Sequence, residues 1–153
     1  MGELECAEKV EAWPQPSSVG EAAINSGSGP LLVAYATGDD KFAVIEIHRY
    51  HYLVYGLPND EALQGHPLYG KGLSYYSVHR VRHSKLIDQL EVRNAVHPRH
   101  DRAQFLAGKE HYIITFQDAT LELVITNKSA ADLKVHVFDD ATQAATAFGT
   151  RLS

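Results

Sequence analysis

Nine histidines in 153 residues are the most unusual feature of this chain. Imidazole titrates near neutrality and is the commonest metal ligand, so each histidine cluster marks a place where a proton or a metal ion could be held. The densest is His97-Pro98-Arg99-His100-Asp101. Two imidazoles and a carboxylate in so short a loop can turn toward one divalent transition metal at about 2.0–2.1 Å, and His66 or His111 would add a third imidazole while leaving a position for water. That is a metal-dependent or acid/base enzyme built on His97, His100 and Asp101 with His66 or His111. The spacing matches neither a His-Glu-x-x-His helix nor a zinc finger, and capping by His97 and Asp101 explains the same residues without any metal.

Three other groups carry chemistry. Alternation along a strand puts Glu46, His48 and Tyr50 on one face among apolar neighbours, where a carboxylate can orient an imidazole. His66, Tyr69 and Lys71 lie between Gly65 and Gly72 in a turn-rich stretch whose glycines allow close backbone approach to a ligand. Arg80 and Arg82 share a strand face about 6.6 Å apart, at roughly 3.3 Å per residue, and with Lys71, Arg99 and Arg102 they suit a phosphate or carboxylate. Asp118 reads as a turn residue and Glu122 as the cross-strand partner of a basic side chain. Nucleophilic catalysis has the least support: Cys6 is the single cysteine, and no Gly-x-Ser-x-Gly elbow occurs.

The elements that must position these groups are mostly strands. Leu31 to Thr37 and Lys41 to Tyr55 are rich in β-branched and aromatic residues around the turn residues Gly38, Asp39 and Asp40, which predicts a hairpin. The second run is too long for one strand and needs a bend near His48 to Tyr50. Further strands are expected at about Leu73 to Val81, at His111 to Gln117 with Thr120 to Thr126, and at Leu133 to Phe138. Ser84 is an N-cap for a helix over about Lys85 to Ala95, and Asp139 or Asp140 caps a C-terminal helix with Ala141, Ala144, Ala145, Phe148 and Leu152 on its apolar stripe. Runs of strands without strict alternation with helices give an α+β fold: a mainly antiparallel, strongly curved sheet, tending to a half-barrel, with one internal helix and a short C-terminal helix. Residues 1–30 hold few large apolar groups and many turn formers, so they are expected to form a flexible N-terminal arm, with Trp13 as a sparse anchor and residues 31–153 as the globular domain.

Composition bounds the rest. Hydrophobic residues at 44% and charged residues at 22% exclude wholesale disorder, and the longest apolar run, Leu31 to Ala36, is far too short for a membrane helix. The net charge of −5 and sequence pI of 5.9 argue against a nucleic-acid binder, which typically has a domain pI above about 9. The stretch 71–109 is nonetheless locally basic, with eight Lys and Arg residues against Asp88, Glu91 and Asp101. A single cysteine and no signal-like N-terminus predict a soluble, cytoplasmic protein. Missing catalytic signatures beside abundant Tyr, His and Arg favour a non-catalytic module that binds a small anionic ligand or a protein partner, with homodimerisation through aromatic strands allowed. Its expected ligand-binding residues are His66, Tyr69, Lys71, Arg80, Arg82 and Arg99; the histidine-based enzyme is the alternative.

Overall fold

The computed structural model describes residues 3–27 and 29–150, so Leu152 of the expected C-terminal helix stripe lies outside the described residues. The fold is α+β with antiparallel strands in two open sheets. The five-stranded sheet has the order β1 (Cys6–Lys9), β6 (Val78–Arg82), β7 (Lys109–Thr115), β8 (Thr120–Thr126), β5 (Tyr50–Gly56). The four-stranded sheet has the order β2 (Ala23–Asn25), β3 (Leu31–Ala36), β4 (Phe42–Ile47), β9 (Leu133–Phe138). Two sheets replace the single strongly curved one expected from sequence. The reason lies at His48 and Arg49, where the long apolar run breaks: β4 stays in one sheet and β5 crosses to the other, with a register shift between Tyr50 and Tyr52. Arg49 pins this corner by donating from Nε and Nη2 to the two carboxylate oxygens of buried Asp132, at 3.2 and 2.9 Å. A paired fork of this kind fixes direction as well as distance. It also holds the Asp132 carboxyl well below the usual range, helped by the backbone N–H groups of Lys128 and Ser129.

The two sheets face each other across the main core. Leu31, Val33, Ala43, Ile45 and Ile47 on one meet Val78, Ile114, Leu121, Leu123 and Ile125 on the other. Alternation sends the intervening residues outward, where each sheet has its own cover. Helix α3 (Ala141–Thr150) lays Ala144 and Phe148 over Leu32 and Val44, started by the Asp140 side chain, which accepts from Thr142 N–H and Gln143 N–H. On the five-stranded sheet, Leu63, Leu68 and Leu73 of the long 57–77 segment cover Ala7, Val81 and Ile113. Helix α1 (Lys85–Asn94) follows, N-capped by Ser84, and a second internal helix, α2 (Arg102–Leu106), is capped by Asp101 where only a turn was expected. Burial of each such Leu or Ile side chain contributes roughly 1.5–3 kcal/mol.

Within residues 1–30 the structure places two strands. β1 pairs with β6, β2 pairs with β3, and Trp13 stacks on Tyr112 with ring centroids 4.8 Å apart. Their partners lie far along the chain for β1 and close by for β2. The β7–β8 hairpin is joined by four residues, Phe116 to Ala119, and Phe116 turns into the core. The longer connection removes the need for the glycine that a two-residue turn requires. No helix of the described residues is long and apolar enough to cross a membrane.

Candidate functional site

The outward face of the five-stranded sheet carries most of the buried polar chemistry. Pairing places Lys109 opposite Thr126, His111 opposite Val124 and Ile113 opposite Glu122 on β7 and β8, with His79 of β6 beside Ile113. Glu122 collects two histidines. His66 Nε2 donates to Oε2 at 3.0 Å and His111 Nε2 donates to Oε1 at 2.9 Å. Burial pushes this carboxyl up, but the two imidazole hydrogen bonds outweigh it and hold it down at about 2.

The remaining ring nitrogens are also engaged. Leu68 N–H donates to His66 Nδ1, and the Ser84 hydroxyl lies 2.8 Å from His111 Nδ1 while its oxygen accepts from Ile87 N–H. These partners assign the proton of each ring to Nε2. His79, fully buried, donates from Nδ1 to the Ile113 carbonyl and accepts at Nε2 from Ser74 N–H, and burial lowers its pKa. A hydroxyl, an imidazole and a carboxylate in series are the parts of an activated nucleophile. Here Ser84 is only 7% exposed and its oxygen caps α1, so the series works as a strut between helix and sheet.

A second network sits on the outward face of the other sheet. Glu46, 2% exposed, accepts from His48 Nε2 on one oxygen and from His136 Nε2 on the other. Burial raises its carboxyl, and the hydrogen bonds of both histidines reverse that to a net lowering. The polar row of Glu46 and His48 was visible by alternation. His136 was not, because it lies 90 residues along the chain and only the β4–β9 register brings it near.

The other sequence candidates are dispersed. Arg80 pairs with Glu110 at 3.1 Å and Arg82 with Glu8 at 2.9 Å, so both guanidinium groups already hold carboxylates. Tyr69 meets Tyr75 edge to face, and the Lys71 carbonyl accepts from Ala7 N–H. His97 Nδ1 accepts from Arg99 N–H, Asp101 accepts from Gln104 N–H, and Asn94 Nδ2 lies 2.9 Å from His100 Nδ1. Thus Glu122 unites His66 and His111, while His97, His100 and Asp101 stay on the α1–α2 connection. Among the described residues, no group of three or more His, Cys, Asp or Glu side chains is placed to hold a metal ion.

One open feature was not anticipated. Between the β5 edge and helices α1 and α2 runs a groove of about 530 Å³, lined by Tyr50, His51, Leu90, Arg93, Asn94 and Phe105. A hollow of about 310 Å³ continues it past Asn94 and Phe105 to His97, Arg99 and Gln104. Half-buried Lys109 lies behind this lining, with Nζ 4.4 Å from the centre of the Phe105 ring. Burial and the positive charges of Lys128 and Arg49 push the Lys109 ammonium down, and burial with Lys109 and Arg49 does the same to His51. Among the described residues, Arg93, Arg99 and Lys109 have no carboxylate within ion-pair distance. The only sequence signal was the local positive excess of 71–109, which does not say which cations go unpaired.

Comparison with protein-family models, curated proteins and solved structures finds no match for this chain.

Proposed function

We propose that this protein is a non-catalytic module that binds a small anionic ligand, a carboxylate or phosphate, in the groove between β5 and the α1–α2 pair. The observation that carries the reading is Lys109: a half-buried ammonium over Phe105 of the groove lining, pressed by Lys128 and Arg49, while the cations of the lining itself, Arg93 and Arg99, are like it free of carboxylates among the described residues. Holding like charges together in a partly desolvated place is unfavourable, and an anion in the groove relieves it. Phe105, Tyr50 and Leu90 supply apolar walls, and Asn94 and Gln104 supply neutral hydrogen-bonding groups, the usual make-up of a small-ligand site. Of the ligand-binding residues expected from sequence, Arg99 is the one on this groove; Arg80 and Arg82 are engaged elsewhere. The closed Glu122 network supports a structural use of His66 and His111 rather than catalysis, as do the bonds of buried His79 to Ser74 and the Ile113 carbonyl. A single free cysteine, Cys6, keeps the cytoplasmic placement within the same proposal.

The test is calorimetric titration with inorganic phosphate and with citrate at low and at physiological salt. Binding should be saturable and should weaken as salt rises. Lys109→Met should reduce affinity about tenfold or more, as loss of a charged hydrogen-bond donor costs roughly 1.5–3 kcal/mol. Binding that ignores both salt and Lys109→Met would remove this site from consideration.

A further inference from the structure

We infer that the free edge of β9 is a docking site for an extended peptide strand that alternates apolar and acidic residues. This site is separate from the groove: the two open sheets have four edges, β1, β5, β2 and β9. An exposed edge offers unpaired N–H and C=O groups to any passing strand, and proteins ordinarily blunt such edges. Three are blunted here. β1 is four residues long and already engaged on its outer side, where Ala7 N–H donates to the Lys71 carbonyl and Gly72 presses against the Ala7 backbone. β2 has only three residues. β5 carries the register shift between Tyr50 and Tyr52, and Pro58, which has no N–H to offer, follows shortly after its end.

β9 has none of these protections. It pairs with β4 in one uninterrupted register from Leu133 opposite Ile47 to Phe138 opposite Phe42, without proline or bulge. In an antiparallel ladder only alternate residues bond the neighbour, so the others point both backbone groups away from β4. Among the described residues, no hydrogen bond reaches those outward groups. The side chains along the same edge alternate in character. Val135 and Val137 lie on the core-facing side yet are 38% and 48% exposed, because the sandwich is open there. On the opposite face are exposed Lys134 and the half-buried His136.

This pattern selects the partner. A strand added beside β9 places its alternate side chains next to Val135 and Val137 on one face and next to Lys134 and His136 on the other. Apolar residues fit the first face; on the second, His136 Nε2 is already bonded to Glu46, and an acidic residue fits exposed Lys134, which among the described residues has no carboxylate within ion-pair distance. A second copy of the same chain fits less well: antiparallel pairing about Val135 sets Lys134 against His136, and pairing about His136 sets two imidazoles together. The first sets Lys134 against a ring already bonded to Glu46 and the second sets two such rings together, so neither brings a carboxylate to Lys134.

The experiment uses the full chain and a fluorescein-labelled peptide of alternating valine and glutamate, with a valine–lysine peptide as the control. Fluorescence anisotropy should give saturable binding of the acidic peptide and markedly weaker binding of the basic one. Hydrogen exchange should show amides of β9 slowed at saturating peptide, with those of β1 and β2 unchanged. Lys134→Gln, which removes the charge without setting a second carboxylate opposite buried Glu46, should weaken the acidic peptide about two- to fivefold, within the size of a cross-strand charge pair, and narrow the difference between the two peptides. Equal binding of both peptides, unaltered β9 exchange at saturation, or a free protein that is already a dimer with β9 amides protected would each overturn the proposal.

Discussion

Replacing Glu122 by Gln tests whether the buried carboxylate, rather than shape alone, holds the 57–77 segment and α1 onto the sheet. In the folded protein its pKa is about 2, against an ordinary value of 4.5. A depressed carboxylate contributes stability that is fully present above the unfolded pKa and is lost as pH falls through the folded one. The shift corresponds to at most about 3–4 kcal/mol. With the side chain 27% exposed, solvent screening reduces the expectation to about 2 kcal/mol. The amide also turns a donor toward one of the two imidazoles, each of which needs an acceptor for its Nε2 proton. Urea unfolding at pH 7 should therefore find Glu122→Gln about 2 kcal/mol less stable, a melting temperature lower by about 4–8 °C for a domain of this size. Because only the wild type carries the titrating group, the gap between the two proteins should narrow below about pH 4.5, with more than half of it gone by pH 3. A gap under about 0.5 kcal/mol at pH 7, or one that stays constant down to pH 3, would refute the electrostatic account.

Three further outcomes follow from single side chains. Ser84→Ala removes the N-cap of α1 and the partner of His111 Nδ1 together, so it should cost about 1–2 kcal/mol in urea unfolding, and Ser84→Thr should recover most of that. Gly72→Ala should destabilise by about 2 kcal/mol or more: the residue sits at φ 104°, and an added Cβ would fall 1.9 Å from the Ala7 carbonyl oxygen, whereas Gly65→Ala meets nothing within 4 Å and should be close to neutral. Trp13, the single tryptophan, should fluoresce as a partly buried indole in the native state, and Tyr112→Leu, which removes its stacking partner, should shift that emission to the red without unfolding the core.

The sequence determined the local grammar of this protein. Short runs rich in β-branched and aromatic residues, bounded by turn residues, marked β3, β4, β7, β8 and β9. The spacing of Ala141, Ala144, Ala145 and Phe148 marked α3, and Ser84 and Asp140 announced the helix starts they cap. These signals are readable because each depends on residues within a turn or two of one another. The bend after His48 was readable for the same reason: no single strand accommodates so long a run.

Tertiary structure decided everything that depends on which distant segments meet. Alternation fixes that Ile113 and Ile114 face opposite ways but not what covers each face, so a run that could have curled into one sheet was divided between two at Arg49. The N-terminal stretch shows few apolar residues because β1 and β2 are short strands whose stability comes from their neighbours β6 and β3. Glu122 draws in His66 from 56 residues away and His111 from 11, and the pull of those two imidazoles on its carboxyl exists only when the 57–77 segment folds over the sheet. The groove is the same case. Lys109, His51 and Arg93 are ordinary polar residues in sequence, yet among the described residues none has a carboxylate within ion-pair distance, whereas Arg49, Arg80 and Arg82 each have one. A charge is fixed by the residue type, but whether it is neutralised is a property of the packed neighbourhood.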